Sequence, residues 1–90
     1  MILQITIPDS RDISSIWEPD FKISTKISYP ISKSESESIL ISMNSAGLIS
    51  MARHLLWLAQ PERYIGKHFH FDDSNSLEPG SIELVIEKIK

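Results

Sequence analysis

Two histidines and an aspartate occupy alternate positions in "KHFHFDD", residues 67–73, with phenylalanines between them. On an extended strand His68, His70 and Asp72 point to one side and Phe69 and Phe71 to the other. Residues two apart on a strand have Cα atoms about 6.8 Å apart, a spacing that suits two imidazoles on one zinc ion. Asp72 would add an oxygen ligand and leave a fourth, catalytic position open. Three ligands strung along one strand, however, enclose a tetrahedral ion poorly, and His54 is expected on a helix across the sheet. The metal reading, a small His-x-His-x-Asp domain with a hydrolase or accessory role, is therefore the alternative. The plainer reading is a solvated or partner-facing surface. Asp72 and Asp73 are adjacent, face opposite sides of a strand and make a poor acid–base pair. The sequence has no cysteine, and it carries no nucleophile elbow, phosphate-binding glycine loop or HExxH helix. No catalytic residue and no cofactor is expected, and the chain reads as a non-enzyme.

The elements that must position these residues follow from periodicity. Alternation in "ILQITI" (Leu3, Ile5, Ile7) predicts a first strand that Pro8 ends. "FKISTKISYPI" puts Phe21, Ile23, Thr25, Ile27, Tyr29 and Ile31 on one face and Lys22, Ser24, Lys26 and Ser28 on the other. After the polar turn "SKSESES", a third strand runs from Ile39 to Met43. The period then changes: Asn44 or Ser45 can cap a helix that Pro61 ends. At 100° per residue, Leu48, Met51, Ala52, Leu55, Leu56, Leu58 and Ala59 gather into one broad apolar arc, with Ile49 at its margin. Gly47 in the first turn would let the helix approach the sheet closely. "KHFHFD" and "SIELVIEKI" supply two further strands, joined through a Pro79-Gly80 turn signal.

The expected fold is α+β, a largely antiparallel sheet of about five strands with one helix packed on one face, in the order β-β-β-α-β-β. Residues 1–90 form a single domain. The expected core is Leu3, Ile5, Phe21, Ile23, Ile27, Ile41, Leu48, Ala52, Leu55, Leu58, Phe69, Phe71, Ile82, Leu84 and Ile86. One helix covers one face of a sheet, so His68, His70 and Asp72 belong to the uncovered face, with Lys22, Lys26, Glu83 and Glu87.

Composition narrows the function classes. A formal charge of −3 with scattered basic residues offers no phosphate-neutralising stripe for nucleic acid. No apolar run approaches the ~20 residues of a membrane span, and the first residues do not read as a signal peptide. The expected address is the cytoplasm.

Two tryptophans bear on partner binding. On the helical wheel Trp57 lies opposite Leu48, beside Ser50, Arg53 and His54, where it either packs under a loop or anchors an interface. Trp17, in "SSIWEPD", is either a lid on the core or an exposed contact. With His68, His70, Asp72, Asp73 and Glu83, the two tryptophans form the candidate partner-binding set. A homodimer through an edge strand or the open face is a further possibility.

The segments "NSAGLISMARHLLWLAQ", "GKHFHFDD" and "LEPGSIELVIEKI" together resemble the immunity protein 32 family of bacterial polymorphic-toxin systems. The matching positions are Asn44, Gly47, Leu48, Ala52, Leu58 and Ala59, then His68, His70, Asp72, Gly80, Ser81, Glu83 and Leu84. The resemblance covers the half of the chain from Asn44 onward. It implies a small α+β protein that binds a cognate toxin and neutralises it by stoichiometric inhibition.

Overall fold

The structure, a computed structural model, describes residues 16–28 and 37–90. The expected first strand, with core positions Leu3 and Ile5, lies outside the described residues. Within them the order is β1 (Ile23–Ser28), β2 (Ser38–Met43), α1 (Ser45–Ala59), β3 (His68–Phe71) and β4 (Leu84–Glu87). β1 and β2 pair antiparallel from Ile23↔Met43 to Ser28↔Ser38. β3 and β4 pair antiparallel from His68↔Glu87 to Phe71↔Leu84.

The α+β class and the antiparallel pairing match the sequence reading, but the single five-stranded sheet does not. The described residues hold four strands in two two-stranded sheets. The reason is local to Thr25. The Glu78–Ile82 segment runs beside β1, where Glu78 N–H donates to the Ile23 carbonyl and Ile82 N–H to that of Thr25. Between those two bonds, side chains take over from backbone. The Thr25 N–H donates to Ser81 Oγ at 3.2 Å, and the Thr25 hydroxyl donates to the Ile82 carbonyl. Gly80, at φ 86°, turns the chain at this point in a conformation that glycine adopts freely. The two hairpins are thus stitched through one buried threonine rather than fused into a continuous ladder.

Helix α1 begins where its capping chemistry requires. Asn44 Oδ1 accepts the Gly47 N–H at 2.8 Å, which satisfies one of the free donors of the first turn. The same oxygen accepts the Lys22 N–H at 2.9 Å, and Asn44 Nδ2 donates to the Asp20 carbonyl at 2.9 Å. One side chain therefore caps the helix and ties it to the entry of β1. Gly47 lies so close to β1 that a Cβ there would stand 2.7 Å from the Lys22 carbonyl oxygen, the close approach expected of it. At the other end, the Lys88 ammonium donates to the carbonyls of Gln60, the C-cap, and Arg63, in the turn that follows, at 2.8 and 2.9 Å, a cation placed near the negative end of the helix dipole.

The helix is turned from the apolar-arc expectation, so that Met51 and Leu58 of that arc are buried while Leu48, Leu55 and Leu56 are exposed. Its buried residues are Gly47, Ser50, Met51, His54, Trp57 and Leu58, a run of three- and four-residue spacings that marks one face. Leu48 is 56% exposed and Leu55 46%, so both leave the expected core, while Leu58 stays in it; Ala52 is half-buried. Aromatic packing accounts for the choice. The inner face sets Trp57 against Phe69 at 5.4 Å between ring centroids and His54 against Trp17 at 4.2 Å, and aromatic side chains bury more area each than leucines.

The core itself has two parts. Ile23, Met51, Phe71 and Leu77 form one, and Ile16, Trp57 and Leu58 the other; Phe69 and Ile86 pack against both. Phe21 and Leu84 also pack on the first cluster as expected. Ile27, Ile41 and Ile82 are exposed instead. The core meets the first hairpin at its Ile23–Met43 end, which leaves Ile27 and Ile41 farther along the ribbon. Ile82 serves the stitch through its backbone.

Candidate partner-binding site

The β3–β4 ribbon has the two faces that alternation predicts. Phe69 and Phe71, with Leu84 and Ile86, turn toward the helix, while His68 and His70 are exposed on the outer face. The register sets His68 opposite Glu87 and His70 opposite Val85, and Glu83, two residues before Val85, lies on the same side. Lys22 and Lys26 do not share this surface as expected. They belong to the β1 region, and β1 is in the other sheet.

Contacts on the outer face are polar and local. The His68 and His70 rings meet edge-on, 4.8 Å between centroids. His68 Nδ1 bonds the Gly66 carbonyl at 2.8 Å. His70 Nδ1 lies 3.5 Å from Glu83 Oε1, a contact that becomes an ion pair whenever the ring is protonated.

Asp72 has a structural task. Its Oδ1 accepts the Ser74 N–H at 2.9 Å and the Ser74 hydroxyl at 2.6 Å, and its carbonyl accepts the N–H groups of Asn75, Ser76 and Leu77. The Ser74 hydroxyl first, then the Ser74 and Asn75 amides and the charge of His70, hold the Asp72 carboxyl below its ordinary range. A carboxylate so engaged is aimed into its own turn. Asp73 Oδ2 accepts the Gly80 N–H at 3.4 Å, which joins the same turn to the Pro79-Gly80 bend.

The metal alternative loses its ligand set here. Among the described residues no three His, Asp or Glu side chains converge so that they could hold an ion. His54, the third histidine, is buried and bonds the Ser50 carbonyl through Nδ1 at 2.7 Å. Burial pushes its pKa down, partly opposed by that hydrogen bond.

Both tryptophans turn inward. Trp57 is 3% exposed; the Arg63 guanidinium stacks 3.9 Å from its ring centre, and Ile16 and Leu58 pack beside it. Trp17 is half-buried, stacked on Phe21 at 4.3 Å and edge-on to Phe71 at 6.0 Å. The outward-facing candidates narrow to His68, His70, Asp73 and Glu83, with Asp72 shaping their rim. A recess of about 210 Å³ opens beside them, lined by Trp17, His54, Phe69, His70, Phe71, Asn75 and Ser76. That is below the usual size of a small-molecule pocket.

Sequence reasoning missed the parts played by His54 and Ser50, which look like solvent-facing polar residues on the wheel. Ser50 Oγ accepts the Glu18 N–H at 2.8 Å and donates to the Ala46 carbonyl at 2.7 Å, so its polarity is satisfied inside. The available signal was spacing: Gly47, Ser50, Met51, His54, Trp57 and Leu58 recur as regularly as the leucines do.

The model of immunity protein 32 matches residues 38–89, more than half of the chain. The chain belongs to the immunity protein 32 family. No curated protein and no solved structure matches the sequence. The match spans β2, α1, β3 and β4, and several of its motif positions have tasks in the structure. Asn44 caps the helix, Gly47 lets it approach β1, and Ser81 holds Thr25. Among the described residues, no helix is long and apolar enough to cross a membrane.

Proposed function

We propose that this immunity protein 32 family member binds a cognate bacterial toxin in the cytoplasm and neutralises it by stoichiometric inhibition, without catalysis of its own. The family match over residues 38–89 carries the reading. The outer face of β3–β4 supports it: His68 and His70 stand exposed on a short ribbon whose inner face packs into the aromatic core, with Asp73 and Glu83 exposed in the segments that flank its strands. Glu78 and Glu87 are exposed nearby in sequence. Such acids would meet a basic toxin surface and raise the rate of encounter more than the final affinity.

Co-expression with the product of the neighbouring reading frame tests the reading. The expected result is a frame that arrests growth alone, growth restored by this protein, and co-elution in a fixed ratio. No rescue and no complex would reject the proposal. Within a complex, reversing Asp73, Glu78 and Glu83 to Lys is expected to slow association strongly at low salt and less at high salt. Equal rates for reversed and unreversed proteins would remove the acidic face from the mechanism.

A further inference from the structure

The face of α1 that turns away from the core is the least explained surface of the molecule. Leu48, Ile49, Leu55 and Leu56 are all exposed, at 56, 36, 46 and 37%. Ala52 lies at the middle of this arc, and Ser45 and Ala59 complete it at either end. The only ionisable side chains of the helix are Arg53 and His54. His54 is buried, and Arg53 pairs with Glu18. The outer arc therefore carries no charge. A surface helix ordinarily shows a charged or polar outer face, and loss of charge marks the centre of an interface.

The order of residues along this arc suits a two-fold partner. Residues equally distant from Ala52 on either side are alike in kind: Ile49 and Leu55 three away, Leu48 and Leu56 four away, Ser45 and Ala59 seven away. A two-fold axis through Ala52 would lay two such helices antiparallel. It would set Leu48 of one copy against Leu56 of the other, Ile49 against Leu55, and Ala52 against itself. Two-fold interfaces need a patch that is its own complement. The small Ala52 at the crossing lets the backbones approach closely, with the branched side chains interlocking to either side.

We infer that the outer face of α1 is a self-association surface, on which a second copy of this chain docks antiparallel about Ala52. It lies on the helix, apart from the outer ribbon face assigned to the toxin, and the inference stands whether or not that assignment does. Fifteen helical residues span about 22 Å, and a helix pair of that length buries less than the ~1,600 Å² of a standard interface. The dimer is accordingly a concentration-dependent equilibrium.

The test uses the full chain. Sedimentation over a hundredfold concentration range is expected to show the mass rising from 10.2 kDa toward twice that value. Leu48→Glu and Leu56→Glu, each alone, are expected to weaken the dimer at least tenfold, and the doubly substituted Leu48→Glu, Leu56→Lys chain is expected to recover it, because the new charges face each other across the axis. The chain has no native cysteine, so Ala52→Cys offers a minimal variant. It is expected to oxidise to a covalent dimer faster than a Glu62→Cys control. A monomer at every concentration, with Ala52→Cys no faster than the control, overturns the inference. So does a monomer in which Leu48→Glu abolishes toxin binding, which gives the face to the toxin. A monomer whose Tm falls sharply with Leu48→Glu also overturns it, because the face is then covered within one chain.

Discussion

The two sides of α1 are both apolar, yet only one is buried. The inner side has Gly47, Ser50, Met51, His54, Trp57 and Leu58, and the outer side has Leu48, Ile49, Leu55 and Leu56. By hydrophobicity the outer side is the stronger candidate for the core. What distinguishes the inner side is shape and satisfied polarity. Gly47 permits contact with β1, the aromatic rings fit against Phe69 and Phe71, and Ser50 and His54 find backbone partners. Side-chain volume and hydrogen bonding selected the buried face, and the surplus apolarity was left for another surface.

The sharpest way to break this comparison is one residue type at two positions. Leu58→Ala removes a side chain from the core and is expected to cost about 2–5 kcal/mol. Leu55→Ala, three residues earlier and outward, is expected to cost about 1 kcal/mol or less when unfolding is followed at concentrations where the chain is monomeric. Equal losses would mean that the helix is buried on both sides within one chain.

Gly47→Ala sharpens the point about shape. Alanine is favoured over glycine in a helix interior by about 1 kcal/mol, but the new Cβ would press on the Lys22 carbonyl oxygen, a backbone atom that yields poorly. Overpacking of this kind costs about 1–3 kcal/mol, so a net fall in Tm is expected. A rise would show that the helix is free to move off β1.

The smallest expected effect concerns His54. Its folded pKa lies below the unfolded value near 6.5, so below that pH the unfolded chain binds the extra proton and the folded chain does not. Its contribution to stability is present above the unfolded value and is lost as pH falls from there toward the folded one. Between pH 7.5 and 5.5, Tm is expected to drop more for the native chain than for His54→Gln. Parallel profiles would show that the ring accepts its proton without leaving the core.

Much of this arrangement was legible in the residues. Alternation located the strands that fall within the described residues and set Phe69 and Phe71 inward with His68 and His70 outward. The Asn44 cap and the tight approach at Gly47 followed from residue type. The helix orientation was not legible, because a wheel that weighs hydrophobicity cannot choose between two apolar sides. The division into two sheets was hidden as well. It turns on the Thr25 N–H donating to the Ser81 hydroxyl oxygen where a strand would offer a carbonyl, and periodicity does not record that exchange. At the candidate site, the outward set was visible, but the tie of Asp72 Oδ1 to the amide and hydroxyl of Ser74 was not.

The stitch at Thr25 also bears on how such proteins can diverge. The family match begins at residue 38, yet Ile16, Trp17, Ile23 and Thr25 lie before it and complete the core beneath the matched helix and ribbon. The matched block is therefore not an interchangeable module. A chimera that grafts residues 38–89 onto another leading segment must bring a ring to lie between His54 and Phe71, a branched side chain at the Gly47 contact and a hydroxyl opposite Ser81. Without all three, the β3–β4 ribbon would lose the floor on which its inner face packs.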